Sequence, residues 1–496
     1  FKSLATPNLF VGDYDAASNS KLAARRGCRG GGRRFRPPSR PPFFPFRNFS
    51  MEACHSISTL HARLLKTHNP NALRDLLQLL SRSAAAASSY LSYARAIFAD
   101  HAPQVHTFPW NAIIRLHALA PPHAPHALAL FAAMRRRGVS PDCYTFPLLL
   151  RACSLHPTPP TGLRAGTAAH ALAAKTGLLA PAIHARNALV AFYGRHRLTD
   201  HALQVFVEMP HRDRDVVSWS SLVYCMATSG CPAKALEAFR LMQASGVPPD
   251  EAAMVNAAWA AGNLGAAEPA TWVYCYVRRG GVRATVALGT ALVVALARCG
   301  RISLAAEVFD DLPKRNVITW TAMINGLASN GRGKEALEMF DQMVANGFKP
   351  DHVAFIGALT ACSHGGLLQE GLRLFESMGR VHGVAPQMEH YGCIVDMMGR
   401  AGLLAEAYEF VDRMPVRPEP VVWRTLLGAC VSHGYIELAE HVKGRIVELE
   451  PSHDGDYVLL SNAYGGIGRW AEKAGLWTEM RVHGVTKTPG LSIPSL

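Results

Sequence analysis

The chain has 496 residues and a formal net charge of +14, but 10 Lys/Arg against 2 Asp/Glu fall in residues 1–50, leaving 41 against 35 elsewhere. This excludes a bulk polycation that holds nucleic acid by charge alone; affinity for RNA or DNA would have to come from a local face and periodic side chains. Eleven scattered cysteines with no C-x-x-C argue against a zinc ribbon or disulfide scaffold, and none of the 22 histidines opens H-x-E or H-E-x-x-H, so no metal, cofactor or catalytic residue is expected. The longest uncharged stretches, such as 216–233, contain Ser, Thr, Gly and Pro, so no membrane span is expected.

In chain order, residues 1–50 are Arg-rich, acid-poor and broken by Pro and Gly. Such a segment lacks the apolar content for a core and has the charge balance of an organellar transit peptide. Repeat-like text begins near Met51, and a degenerate region, 51–106, contains LSYARAIF. From there the chain repeats itself. Trp110, Trp219, Trp320 and Trp423 lie 109, 101 and 103 residues apart, and the text after each of the first three is similar. This long period divides into units of roughly 35 residues, the length of one helix-turn-helix in a solenoid. Within the unit 317–351, Trp320, Met323, Ile324 and Leu327 form one stripe of a first helix. Asn330 and Gly331 break it, Ala336, Phe340 and Met343 mark a second helix, and Gly347 with Pro350 ends that one. Ala235, Phe239 and Met242 are the equivalent anchors one period earlier, and Ala127, Phe131 and Met134 before that. All are expected in the core, as are Cys153, Cys362 and Cys430, each of which follows Ala.

The unit resembles the pentatricopeptide repeat, and its alternation of lengths resembles the plant PLS subclass. P-like units are 107–142, 216–250 and 317–351. L-like units are 143–182, which carries a Pro-rich insertion HPTPPTGL, 251–285 and 352–387; S-like units are 183–215, 286–316 and 388–418. The array thus spans 107–418, and segments 419–452 and 453–487 look like the two E motifs that close editing-type members. Residues 488–496 read GLSIPSL at their end, where longer relatives continue into an extension and a DYW deaminase domain. The resemblance implies an all-α fold, a right-handed α-solenoid superhelix of helix-turn-helix repeats.

The family reads single-stranded RNA one base per repeat, through the residue after the tryptophan position and the last residue of the unit. Carried over, the pairs are Asn111 with Asp142, Asn187 with Asp213, Ser220 with Asp250, Thr290 with Asn316, and Thr321 with Asp351. Arg214 and Asp215 are extra residues in the second, so either Asp213 or Asp215 closes that unit. A carboxylate only accepts and suits uracil or guanine; an amide can also donate and suits adenine or cytosine. The family rule gives U for Asn with Asp, G for Thr or, more weakly, Ser with Asp, and A for Thr with Asn, hence U-n-U-G-n-A-G-n-n. Asn and Ser early in a helix, and Asp after Pro, are also ordinary cap and turn residues. Five pairs in register favour reading.

A cytidine deaminase needs zinc ligands and a proton-shuttling Glu, a constellation this sequence does not carry. The resemblance therefore implies no enzyme but a site-recognition factor for C-to-U editing of organellar transcripts, in the mitochondrion, which is slightly favoured, or the chloroplast. Its partners would be single-stranded organellar RNA, a trans-acting DYW-type deaminase protein and small editing accessory proteins, with no DNA and no membrane. The alternatives are an RNA-stabilising or splicing factor and a protein-binding helical-repeat scaffold.

Overall fold

The computed structural model describes residues 88–487, apart from 102–105, 120, 180–182 and 281–283, together with isolated positions between 57 and 79. The chain divides into Phe1–Cys54 and His55–Leu496, and every described residue belongs to the second. The expected leader, 1–50, and tail, 488–496, lie outside the described residues.

Helix α1, Ser88–His101, precedes a regular succession of pairs. These are α2 Thr107–His117 with α3 Ala124–Arg136, α4 Thr145–Ser154 with α5 Pro159–Lys175, and α6 Ile183–Arg195 with α7 Thr199–Val207. Next come α8 Val216–Thr228 with α9 Pro232–Ala244, α10 Glu251–Leu264 with α11 Ala267–Arg279, and α12 Val286–Arg298 with α13 Ile302–Asp311. Then follow α14 Val317–Ser329 with α15 Gly333–Ala345, α16 His352–Gly365 with α17 Leu368–Arg380, and α18 Met388–Arg400 with α19 Leu404–Asp412. The last pairs are α20 Pro420–Ser432 with α21 Ile436–Leu449 and α22 Asp454–Gly466 with α23 Trp470–Val482.

From α2 onward each even-numbered helix packs on its own partner and on the even-numbered helices of the adjacent units; odd-numbered helices touch mainly their own unit and the next. Such nearest-neighbour packing makes the described chain an all-α solenoid, in which no unit closes its core alone. One apolar cluster accordingly runs from Phe146 to Val485.

The sequence pattern explains this stacking. Trp320, Met323, Ile324 and Leu327 are 4% exposed or less. Ala235, Phe239, Met242, Ala336, Phe340 and Met343 are equally buried, whereas Phe131 is only half-buried. The long tryptophan period arises at unit boundaries: Trp110, Trp219 and Trp320 pack edge-on against Phe98, Phe206 and Phe309 of the preceding second helix. Aromatic pairs prefer this geometry because a ring edge is positive and a face negative. Between first helices, small residues allow close approach. A Cβ on Gly326 would stand 2.7 Å from the Cβ of Ala297, and one on Gly399 2.6 Å from that of Ala429.

The turns follow the same logic. Asn330 caps α14, donating to the Gly326 and Ala297 carbonyls, and Gly331 then takes the left-handed conformation (φ 75°) that a side chain disfavours. Arg197 occupies the same conformation between α6 and α7, with φ 58°, the one non-glycine there among the described residues. The Pro-rich insertion runs into a helix: Pro159 and Pro160 open α5, where their missing N–H groups would be unpaired anyway. Cys153, Cys362 and Cys430 lie buried, and burial pushes the Cys153 thiol up to about 12.

Candidate nucleic-acid interface

Each candidate pair joins the start of one first helix to the residue that introduces the next. Asp250 and Asp351 are N-caps of α10 and α16, accepting through Oδ1 from the backbone N–H of Ala253 and Ala354 at 2.8 Å. Asn316 caps α14 in the same way, accepting from Thr319 at 2.9 Å. Asp142 accepts from the N–H of Tyr144 and Thr145. In three of these four the partner, on the preceding first helix, bonds directly. Asn111 donates to Asp142 at 2.9 Å, Ser220 to Asp250 at 2.7 Å and Thr321 to Asp351 at 3.4 Å. Thr290 and Asn316 are not bonded directly; Thr319 Oγ1 stands between them, 2.8 Å from one and 2.9 Å from the other.

One position needs correction. Asp213 lies in a short 3-10 turn, His211–Asp213, beside Arg212 at 3.7 Å. Asp215, two residues on, is the residue that caps α8 and that Asn187 reaches at 3.3 Å. The physical reason is the cap: only the residue just before Val216 can accept from Ser218 N–H, which it does at 2.8 Å. Burial pushes the Asp215 carboxyl up, but the Ser218 hydroxyl and N–H and the Asn187 amide outweigh it and hold the group below the usual carboxylate range.

Capping and outward recognition are compatible uses of these residues. All the hydrogen bonds of Asp142, Asp215, Asp250 and Asp351 side chains go to Oδ1, so among the described residues each Oδ2 has no partner. Asn316 likewise caps through Oδ1, leaving its Nδ2 without one. Asn111, Asn187, Ser220 and Thr321 are recessed, 5–8% exposed, whereas Thr290 and the four capping aspartates are half-buried and Asn316 is exposed.

Two sets of residues escaped the sequence reading. Phe108, Val217 and Ile318 are large, apolar and about half exposed, each three residues before a candidate reader and so on the same helix face. Their shared register was the available signal. The second set is Arg214 and Arg315, which immediately precede Asp215 and Asn316. Arg214 donates to the Met209 and Val207 carbonyls at the end of α7 and lies 4.9 Å over Phe206. Arg315 donates to the Phe309 and Asp310 carbonyls and lies 4.5 Å over Phe309. A guanidinium fork fits helix-end carbonyls and an aromatic face together, pinning the loop that presents the closing residue.

L-like units carry Pro147, Val255 and Ile356 at the equivalent position, with no polar head to read a base. In 419–452 that position is Arg424, tied to Asp456 at 2.9 Å and Glu450 at 2.7 Å. The Arg424 guanidinium holds the Glu450 carboxyl below its usual range. This head is closed by an internal ion cluster.

Stacked helix pairs, five of which bear a polar pair, define a helical-repeat protein. The PPR repeat model matches residues 185–213, 217–247, 290–317 and 389–417, the PPR repeat family model matches 315–364, and the E motif model matches 433–493. The chain is 33% identical to the Arabidopsis thaliana pentatricopeptide repeat-containing protein At5g43790, over 89% of this chain and 95% of that protein. It is 37% identical to the Arabidopsis thaliana pentatricopeptide repeat-containing protein CRR2, chloroplastic, covering 81% of this chain and 60% of the length of CRR2. The solved pentatricopeptide repeat protein PPR10 from maize aligns with 88% of this chain and 67% of its own, at 19% identity and a TM-score of 0.49. The chain belongs to the pentatricopeptide repeat family.

Proposed function

We propose that the chain binds single-stranded RNA, one base per readable unit, and marks a cytidine in an organellar transcript for conversion to uridine. The observation that carries the reading is the division of labour within each closing residue: Oδ1 holds the next helix, and the other head atom is left for a ligand.

Proton accounting then gives the letters. Where Asn stands with Asp, one Nδ2 hydrogen goes to the carboxylate, leaving one donor and the Oδ2 acceptor. That set matches uracil, whose ring N–H sits beside carbonyl acceptors. Where Ser or Thr stands with Asp, the single hydroxyl proton goes to the carboxylate, leaving two acceptors for the two donors of guanine. Thr290 donates to the Val286 carbonyl at 2.7 Å, so its oxygen accepts while Asn316 donates. This order suits adenine, and cytosine as well, between which the family rule takes adenine. The exposed Phe108, Val217 and Ile318 offer apolar surface to base faces. Asp215 in place of Asp213 leaves the expected target, U-n-U-G-n-A-G-n-n, unchanged.

The match to an E motif supports the editing reading. Within these 496 residues no C-x-x-C supplies zinc ligands, so we assign the deamination to a DYW-type protein acting in trans, with small accessory proteins. The Arg-rich residues 1–50 and the chloroplast location in the name of CRR2 support an organellar site of action. Organellar cDNA from a loss-of-function plant tests this. Loss of conversion at one or a few cytidines, each just downstream of U-n-U-G-n-A-G, is expected. Unchanged editing with an altered transcript end or a retained intron would overturn it.

A further inference from the structure

In both Asn-containing pairs a third side chain completes the arrangement. Thr145, in the unit after Asn111, places Oγ1 2.8 Å from Asn111 Oδ1 and 2.9 Å from Asp142 Oδ1. Ser218, in the unit after Asn187, places Oγ 2.7 Å from Asn187 Oδ1 and 2.7 Å from Asp215 Oδ1. Both hydroxyl residues are fully buried. A hydroxyl has one proton. The carboxylate oxygen already accepts from backbone N–H and from the asparagine amide, whereas each asparagine carbonyl has no other donor among the described residues. The hydroxyl therefore donates to the carbonyl.

The units that pair a hydroxyl reader with aspartate sharpen the pattern, whereas in the fifth pair Thr319 holds this place and bridges Thr290 and Asn316. Ala253 and Ala354 hold the same place after Ser220 and Thr321, and there the reader is itself a hydroxyl that reaches the carboxylate unaided. An asparagine head has two chemically opposite ends that sterics barely distinguish. A fixed donor against its carbonyl and a carboxylate against its amide settle which end faces outward.

We propose that Thr145 and Ser218 are positioning residues of the recognition face: each, from the following unit, turns the preceding asparagine so that an amide N–H faces the base. The proposal rests on the base-reading function above. It makes three residues from two units, rather than two, responsible for each U.

Selection from a randomised single-stranded RNA pool by the full chain tests it, comparing wild type with Ser218→Ala, Ser218→Thr and Asn187→Thr. Asn187→Thr identifies the base column that Asn187 governs by moving it from U toward G. The expected result is that Ser218→Ala lowers U enrichment in that same column about fivefold, the scale of one hydrogen bond, while Ser218→Thr retains it and other columns hold. Ala253 and Ala354 establish that the repeat accepts alanine at this place, and thermal unfolding checks that the variant is folded. If Asn187→Thr moves a column and Ser218→Ala leaves it untouched, the positioning role is overturned and base reading stands. If no variant moves any column, the reading on which it rests falls.

Discussion

At the scale of single residues, the closing residue of each unit combines a helix cap with a free head atom, and this makes substitutions predictable in sign. Exchanging Thr321 for Asn, with Asp351 kept, should move that base from G toward U, because a second amide hydrogen replaces a hydroxyl oxygen as the outward group. Since Ala354 offers no donor to the new carbonyl, adding Ala354→Ser should sharpen the U preference further; binding to RNAs that differ at this one base measures both. Backbone conformation gives a second case. Arg197 holds a left-handed conformation where later units place glycine at Gly300 and Gly331. Arg197→Gly should raise unfolding stability by about 0.5–1 kcal/mol in urea, the relief of a crowded Cβ exceeding the added freedom of the unfolded chain. The candidate readers Asn111, Ser220 and Thr321 are marked in the sequence by the tryptophan just before each, and Asn187 and Thr290 by the same place in the shorter units. The exception, Asp213 against Asp215, arose because the 3-10 turn His211–Asp213 lengthens the loop, and residue counting cannot tell which aspartate meets a helix start.

At the scale of elements, first helices lie close because glycine and alanine face each other across the stack. Gly326→Val would drive a branched side chain into Ala297, and overpacking of this kind costs about 1–3 kcal/mol. A lower melting temperature with helix content retained at 25 °C is the expected outcome. Helix existence was readable from the periodicity of Trp320, Met323, Ile324 and Leu327, and so was the core role of Phe239 and Phe340. The involvement of Arg214 and Arg315 was not, because a loop arginine looks solvated until its guanidinium is seen over Phe206 or Phe309. Nor could the text 156–163 declare that its prolines open a helix, since Pro suits both a turn and a first helical turn.

At the scale of the whole molecule, the body of the array is only mildly basic, so affinity is expected to combine base contacts with a limited number of phosphate contacts. Measured in increasing salt, log K for a matched single strand should fall linearly by about 0.7 per phosphate neutralised. A variant such as Thr321→Asn should shift the line without changing its slope, because the base contact is not ionic. An unchanged affinity across salt would instead indicate that phosphates are not bound.

Because the residue that completes a pair also caps the next helix, each reading pair ends on the boundary between structural units. Ser220 lies on α8 while Asp250 introduces α10, and Ser218, beyond the boundary, hydrogen-bonds to Asn187. For an asparagine reader the heritable word therefore overruns the folded unit by part of the first turn of the next helix. Recombination at Val216 would keep Asn187 with Asp215 but separate both from Ser218, whereas a joint at Trp219 would keep all three together. A graft meant to carry the letter of 183–215 intact must run from Ile183 through Ser218 and end inside the first turn of the following helix.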